Sequence, residues 1–149
     1  MILVVDASIA IKWFVEEERR HFARRLLGED VTRAAPALIL TEVANALRKK
    51  VASNEVTADQ ARAALAALPD CFSNLIASEA ILATAFEMSL ELNHFLGDCV
   101  YLACAQLVGG QMITDDRKFL ERVSATKYSG LIVGLEAWAA TAGLPSLIP

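Results

Sequence analysis

The sequence predicts an α/β fold: a single domain over residues 1–149, with a central parallel sheet of four to five short strands flanked by helices. Three observations carry this. Short apolar runs alternate with longer stretches of helical period along the whole chain. The first run, Ile2-Leu3-Val4-Val5, is rich in β-branched residues and apolar throughout, the pattern of a strand covered on both faces. The chain has 149 residues, 55% of them hydrophobic and 21% charged, enough to close one core and too few to expect two.

Each element follows in turn. After the strand at Ile2–Val5, Ala7, Ile11 and Phe14 repeat at spacings of four and three, which predicts a helical stretch from Ala7 to Val15. Charges crowd Glu16 to Arg25, where Phe22, Leu26 and Leu27 supply a buried stripe and Gly28 a stop. Pro36 is read as opening the next helix, with Leu40, Val43, Ala44 and Leu47 facing the core and Arg48-Lys49-Lys50 at its negative end. Thr57 and Gln60 form a capping box for an Ala-rich helix ending before Pro69. A weak strand is expected around Phe72–Ile76, then a helix capped by Ser78 and running to Leu92. A further helix spans Leu96 to Leu107 and ends at Gly109-Gly110. Gln111–Thr114 reads as a strand, followed by Asp115-Asp116 and a brief helix through Phe119 and Leu120. Leu131–Val133 is the last strand, and Glu136 to Ala142 a closing helix that stops at Gly143.

Composition narrows the function. Fourteen basic side chains stand against 18 acidic ones, a formal charge of −4, so bulk positive charge does not hold nucleic acid here. The start of the chain carries no basic run and its apolar stretch ends at Asp6, so no secretion signal is read, and no apolar stretch reaches a membrane span. Cys71, Cys99 and Cys104 make an odd count with no metal-ligand spacing; buried small hydrophobes in a reducing cytoplasm are expected. P-loop, dinucleotide-binding and nucleophile-elbow motifs are all missing. His21 and His94 stand alone in sequence and are read as solvated or capping residues.

What remains is a set of acids embedded in apolar surroundings: Asp6, Glu42, Asp98 and the pair Asp115-Asp116. Two of these positions sit at the carboxyl ends of predicted strands, where ligands of open α/β sheets gather. One such acid alone is a helix cap or a hydrogen-bonded buried group. Several in like settings point to a hard divalent cation, because a metal offsets their mutual repulsion and Mg²⁺ or Mn²⁺ prefers oxygen ligands. A cation so held can polarise a phosphoryl oxygen and generate hydroxide from water, which would let an acidic protein act on an anionic polymer.

The residues around these acids resemble the motifs of the PIN-domain ribonucleases, in particular the VapC toxins of toxin–antitoxin pairs. Val4-Val5-Asp6-Ala7-Ser8-Ile9-Ala10-Ile11-Lys12-Trp13-Phe14 is similar to the first motif, and Pro36-x-Leu38-x-x-x-Glu42-x-x-Asn45-x-Leu47 to the second. Gly97-Asp98-Cys99-x-Tyr101-Leu102-Ala103-x-Ala105 resembles the third, with Gly97 where many members carry an aromatic residue. Ile113-Thr114-x-Asp116-x-Lys118-Phe119 resembles the fourth. The resemblance implies a magnesium-dependent endoribonuclease, with Mn²⁺ able to substitute. It implies that Asp6, Glu42, Asp98 and Asp116 form the metal and catalytic pocket, Asp6 and Asp98 as direct ligands, Asp116 direct or through water, and Glu42 on the attacking water. Ser8, Asn45 and Thr114 would support them. Lys12, Arg48, Lys49, Lys50, Arg117 and Lys118 are the candidate RNA-phosphate contacts. A cognate antitoxin protein, a homodimer and a cytoplasmic location without membrane contact also follow from the resemblance. Two alternatives stand beside it: an inactive PIN-like module that binds RNA or protein, and a phosphohydrolase using Asp6 as a covalent nucleophile.

Overall fold

In the computed structural model, which describes residues 1–28 and 30–142, five parallel strands form one sheet. The chain runs β1 (Ile2–Val5), α1 (Ala7–Ala10, continued by a 3₁₀ turn over Ile11–Trp13), α2 (Arg20–Gly28) and β2 (Thr32–Pro36). It continues through α3 (Leu38–Ala52), α4 (Ala58–Ala67), β3 (Asn74–Ile76), α5 (Ser78–Leu92) and α6 (Leu96–Val108). The remaining elements are β4 (Gln111–Thr114), α7 (Arg117–Ser124), β5 (Ile132–Gly134) and α8 (Leu135–Ala142). The helix stop expected at Gly143 lies outside the described residues.

Strand order is β3-β2-β1-β4-β5. β1 is therefore the centre. The chain builds outward from it on one side through β2 and β3, then returns to add β4 and β5 on the other. The boundary between β1 and β4 is where strand order reverses, and a crevice opens there beyond the carboxyl ends. Leu3, Val4 and Val5 are fully buried, as the all-apolar run requires, and so are Met112 and Ile113 opposite them in register. Beside this centre lies α6, in which every residue from Cys99 to Ala105 is buried. The register pairs Val5 with Ile113, so the residues just beyond, Asp6 and Thr114, emerge side by side.

The sequence reading differs from the structure in a few places. Thr32–Pro36 was not expected to be a strand, because Thr-Arg-Ala-Ala-Pro has neither the β-branched run nor the alternation of one. Pro36 closes that strand rather than opening a helix; it lies past the last rung shared with β1 and is in register with Ile76 of β3. Ser78 is the first residue of α5, and the residue before it, Ala77, makes no side-chain cap. Leu27 is 40% exposed; Ala23 and Leu26 form the buried face of α2. Cys71 is partly exposed, whereas Cys99 and Cys104 are buried. The Thr57–Gln60 capping box is present with both of its hydrogen bonds, at 2.9 and 3.0 Å.

One glycine fixes how β4 enters. α6 ends on Gly109, whose φ of +72° suits a residue without Cβ. The next residue, Gly110, lies so close to β1 that a Cβ there would sit 2.4 Å from the Ile2 carbonyl oxygen. That atom is backbone in the central strand and cannot move aside cheaply. Gly110→Ala is expected to destabilise the protein by about 1–3 kcal/mol. Gly28→Ala, where no atom lies within 4 Å of the added methyl, is expected to be neutral or slightly stabilising. Urea unfolding of both variants checks this.

Candidate active site

The site grows from the end of β1. Asp6 follows three fully buried residues and is itself 7% exposed, so its carboxylate must be met by donors. Three meet it: Ser8 Oγ donates to Oδ1 at 2.6 Å, the Ile9 amide donates to Oδ1 at 3.2 Å, and Thr114 Oγ1 donates to Oδ2. The Ile9 bond makes Asp6 the N-cap of α1. The Thr114 bond ties β1 to β4 across 108 residues of sequence. No cationic side chain pairs with Asp6 among the described residues. Burial, helped by the negative charge of Asp98, outweighs these bonds and pushes the Asp6 carboxyl up to about 6.

Two further acids face the same place. Glu42, in the second turn of α3, is raised by burial and by Asp98, and it accepts a hydrogen bond from the Tyr101 hydroxyl. Asp98, in the first turn of α6, receives His94 Nε2 at 2.7 Å. Tyr101 stands among all three: burial first, then the Glu42 bond and the charges of Glu42, Asp6 and Asp98, hold its hydroxyl firmly protonated. Asp6, Glu42 and Asp98 are thus brought together around one phenol. Asp116 is a neighbour of a different kind. It is exposed and caps α7, its Oδ1 accepting from the Phe119 amide at 3.1 Å, and its own amide donates to Thr114 Oγ1 at 3.0 Å.

The other sequence candidates fall on both sides of this cluster. Ser8 and Thr114 touch Asp6 directly. Asn45 is exposed, and its amide oxygen accepts from the Arg48 guanidinium at 3.1 and 3.2 Å. Lys12 is buried and ion-paired with Glu17 at 3.3 Å and Asp115 at 3.4 Å, so it is no open phosphate contact. Lys50 is likewise paired, with Glu17 at 2.8 Å. Arg48, Lys49, Arg117 and Lys118 are exposed, with Arg117 reaching Glu136 at 3.2 Å. In the sequence Tyr101 has no site role and His94 reads as a solvated or capping residue, whereas the His94 ring meets the Asp98 carboxylate. Tyr101 lies in the segment Gly97–Ala105 around Asp98, and its apolar neighbours in sequence give no sign that its hydroxyl meets Glu42. His94 lies four residues before Asp98, and that i, i+4 spacing is the signal that pairs them; its ring also packs on Phe119, centroids 4.5 Å apart.

The donor set is carboxylate oxygen throughout, which suits Mg²⁺ or Mn²⁺ rather than zinc. Among the described residues, no three His, Cys, Asp or Glu side chains stand ready to close on one ion. Mg²⁺ does not demand that: it keeps several waters and takes one or two carboxylates. Asp6, raised chiefly by burial and further by the charge of Asp98, has no lysine or arginine partner among the described residues. Asp6 and Asp98 therefore fit such an ion.

Comparison with known proteins identifies the family. The PIN domain family matches residues 3–125. The chain belongs to the PIN-domain family. This PIN domain is 34% identical over 127 residues to Ribonuclease VapC3 of Pyrobaculum aerophilum, a match spanning 84% of this chain and 97% of that protein. It is 36% identical over 117 residues to Ribonuclease VapC1 of Mycobacterium tuberculosis, spanning 77% and 86%. Among solved structures, the PAE2754 protein of Pyrobaculum aerophilum superposes with a TM-score of 0.70 at 22% identity, covering 97% of this PIN domain and 90% of that chain. A toxin–antitoxin complex from Klebsiella pneumoniae gives 0.65 at 22% identity, covering 89% and 97%. VapBC2 from Rickettsia felis, bound to a DNA fragment from its promoter, gives 0.65 at 16% identity, covering 90% and 98%. The structural matches establish the fold.

The Asp6 environment has a measurable cost. Folding raises this carboxyl from 3.8 to about 6, so the folded protein binds the proton more tightly than the unfolded chain. Stability from the protonated form is complete below about pH 4 and is lost as pH rises through 6. Asp6→Asn removes the charge at a similar size. It is expected to stabilise the protein by on the order of 2 kcal/mol at pH 7.5 and to lose most of that advantage at pH 4.5. Urea unfolding at the two pH values, without added metal, reads the difference.

Proposed function

We propose that this PIN domain is a divalent-metal-dependent endoribonuclease that hydrolyses RNA phosphodiester bonds and serves as the toxin of a toxin–antitoxin pair. The observation that carries the reading is the convergence of Asp6, Glu42 and Asp98 at the carboxyl edge of the sheet, with no lysine or arginine paired to them among the described residues. The ribonuclease and VapC names of relatives at 34–36% identity support it. So do folds shared with a toxin–antitoxin complex and with VapBC2.

Asp6 and Asp98 would hold a Mg²⁺ or Mn²⁺ ion, with Asp116 within reach through water. When bound, the ion supplies a Lewis acid for the phosphoryl oxygen and a more acidic water. The chain supplies the rest. Ser8 and Thr114 hold the two Asp6 oxygens in fixed directions. Tyr101 keeps Glu42 oriented while leaving its second oxygen able to accept a proton from the attacking water. Arg117 and Lys118 open α7 directly after Asp116 and are best placed to meet backbone phosphates. Arg48 and Lys49 lie six and seven residues past Glu42, about 9–11 Å along α3, and would act further along an RNA strand. A cognate antitoxin, homodimerisation and a cytoplasmic location belong to the same proposal. Among the described residues, no helix is long and apolar enough to cross a membrane.

A phosphohydrolase attacking through Asp6 is disfavoured because the position two residues on, where such a site places a second acid, is Ser8, whose hydroxyl donates to Asp6. An inactive binding module would have no need to keep three repelling acids together.

RNA cleavage is expected to require Mg²⁺ or Mn²⁺, to stop with EDTA, and to fall by at least about a hundredfold in Asp6→Asn and Asp98→Asn variants that still fold. Cleavage indifferent to chelation and to both substitutions would overturn the reading.

A further inference from the structure

Two cations beside the pocket turn away from it and converge on Asp115. Arg19 Nε lies 2.9 and 3.0 Å from the two oxygens of that carboxylate, and Arg19 Nη2 lies 2.8 Å from Oδ2. Lys12 Nζ approaches the same Oδ2 at 3.4 Å. The Asp115 and Lys12 side chains are 10% and 7% exposed, so little water screens them, and a forked guanidinium on a carboxylate fixes direction as well as distance. Arg19 makes this contact from a left-handed backbone, φ +61°. Such a conformation is unfavourable for arginine and persists where surrounding contacts hold it.

While the Asp115 side chain faces these cations, its backbone faces the pocket. The Asp115 amide donates to Ser8 Oγ at 3.3 Å, and Ser8 Oγ donates to Asp6 Oδ1 at 2.6 Å. Thr114, one residue earlier, holds the other Asp6 oxygen and accepts the Asp116 amide at 3.0 Å. Apart from the backbone bond of the Asp6 amide to the Ile113 carbonyl at 3.4 Å, the support that Asp6 receives from β4 and beyond thus passes through residues 114–116. We infer that Lys12 and Arg19, by clamping the Asp115 side chain, are positioning residues for Asp6: they hold the 114–116 turn so that the Ser8 and Thr114 hydroxyls stay on its carboxylate. Asp115 is then a structural anchor for the neighbouring ligand set, and its charge is matched by two cations rather than added to the pocket. The catalytic consequence rests on the ribonuclease reading; the clamp itself does not.

Arg19→Gly separates the clamp from the turn, because glycine accepts φ of +61° without strain. Asp115→Asn is the second variant, keeping the size and backbone while removing the charge. The full chain is compared with both in three ways: amide exchange protection at residue 115, Mn²⁺ affinity, and cleavage of single-stranded RNA. Protection at 115 and Mn²⁺ affinity are each expected to fall about tenfold in both variants. The kcat for RNA should fall about tenfold with KM within about twofold, because geometry at the metal rather than RNA binding is lost. Wild-type protection and wild-type kcat in both variants would overturn the clamp while leaving the ribonuclease reading standing. A wild-type chain that binds Mn²⁺ without cutting RNA, with both variants less protected and weaker for Mn²⁺, would sustain the clamp and remove the ribonuclease reading.

Discussion

The hydrogen bond from Thr114 to Asp6 joins the two strands at the middle of the sheet, and the rest of the site is arranged around it. β1 and β4 pair in parallel with Val5 opposite Ile113, so the first residues past that rung are an acid on one strand and a hydroxyl on the other. A slip of one residue would turn Thr114 to the opposite face of the sheet and leave Asp6 without its partner. Gly110 guards against a slip by pressing β4 onto the Ile2 carbonyl, an approach open only to a residue without a side chain. Backbone register and side-chain chemistry are therefore one constraint. The sheet does not merely carry Asp6; it sets which oxygen of Asp6 is held and from which side.

Around that bond the charges separate into two groups. On one side Asp6, Glu42 and Asp98 surround the Tyr101 hydroxyl without a lysine or arginine, and burial together with their mutual repulsion raises Asp6 and Glu42. On the other, Asp115, Glu17 and Glu55 are threaded with Arg19, Lys12 and Lys50 at 2.8–3.4 Å. Both groups lie at the carboxyl edge of the sheet or next to it, and Ser8 touches each: its hydroxyl donates to Asp6 and accepts from the Asp115 amide. The contrast has a physical meaning. Where acids and bases alternate, the charges are satisfied and the structure is fixed; where acids alone converge, the fold maintains an unfavourable potential that a proton on Asp6 relieves and that the proposed cation would relieve as well.

Most of the framework was legible in the sequence because it rests on local signals. The apolar run at Ile2–Val5, the capping box at Thr57 and the stop at Gly109 each announce themselves over a few residues. β2 did not, since Thr-Arg-Ala-Ala-Pro becomes a strand only by lying between β1 and β3, a tertiary effect without a local pattern. The acids were visible as charges in apolar surroundings, and the structure brings three of them together while giving Asp116 to a helix cap. What the sequence withheld was pairing. Nothing in the order of residues says that Lys12 points inward to Asp115 or that Tyr101 bonds Glu42, whereas the Asn45–Arg48 contact is a local i, i+3 pair that the helix spacing allows. The two long-range pairings depend on which helix face meets which neighbour, and Lys12 and Arg19, the two cations on Asp115, lie about a hundred residues before it in the chain.

The same separation of charges answers how a chain of net charge −4 could work on a polyanion. Global charge governs encounter at distances beyond the Debye length, about 8 Å at physiological salt, whereas contact is decided within it. Inside that radius the relevant charges are the acids of the pocket and the exposed Arg117 and Lys118 on its rim. Without a cation the acids of the pocket repel phosphate; with the proposed ion, Asp6 and Asp98 would become the means of fixing a positive centre there. An exposed basic groove would attract RNA along its length and hold product as readily as substrate. A pocket whose sign depended on a bound ion, as proposed, would confine the attraction to the place where the bond is to be broken, and the pairing of Lys12 and Arg19 with Asp115 keeps those two cations out of that competition.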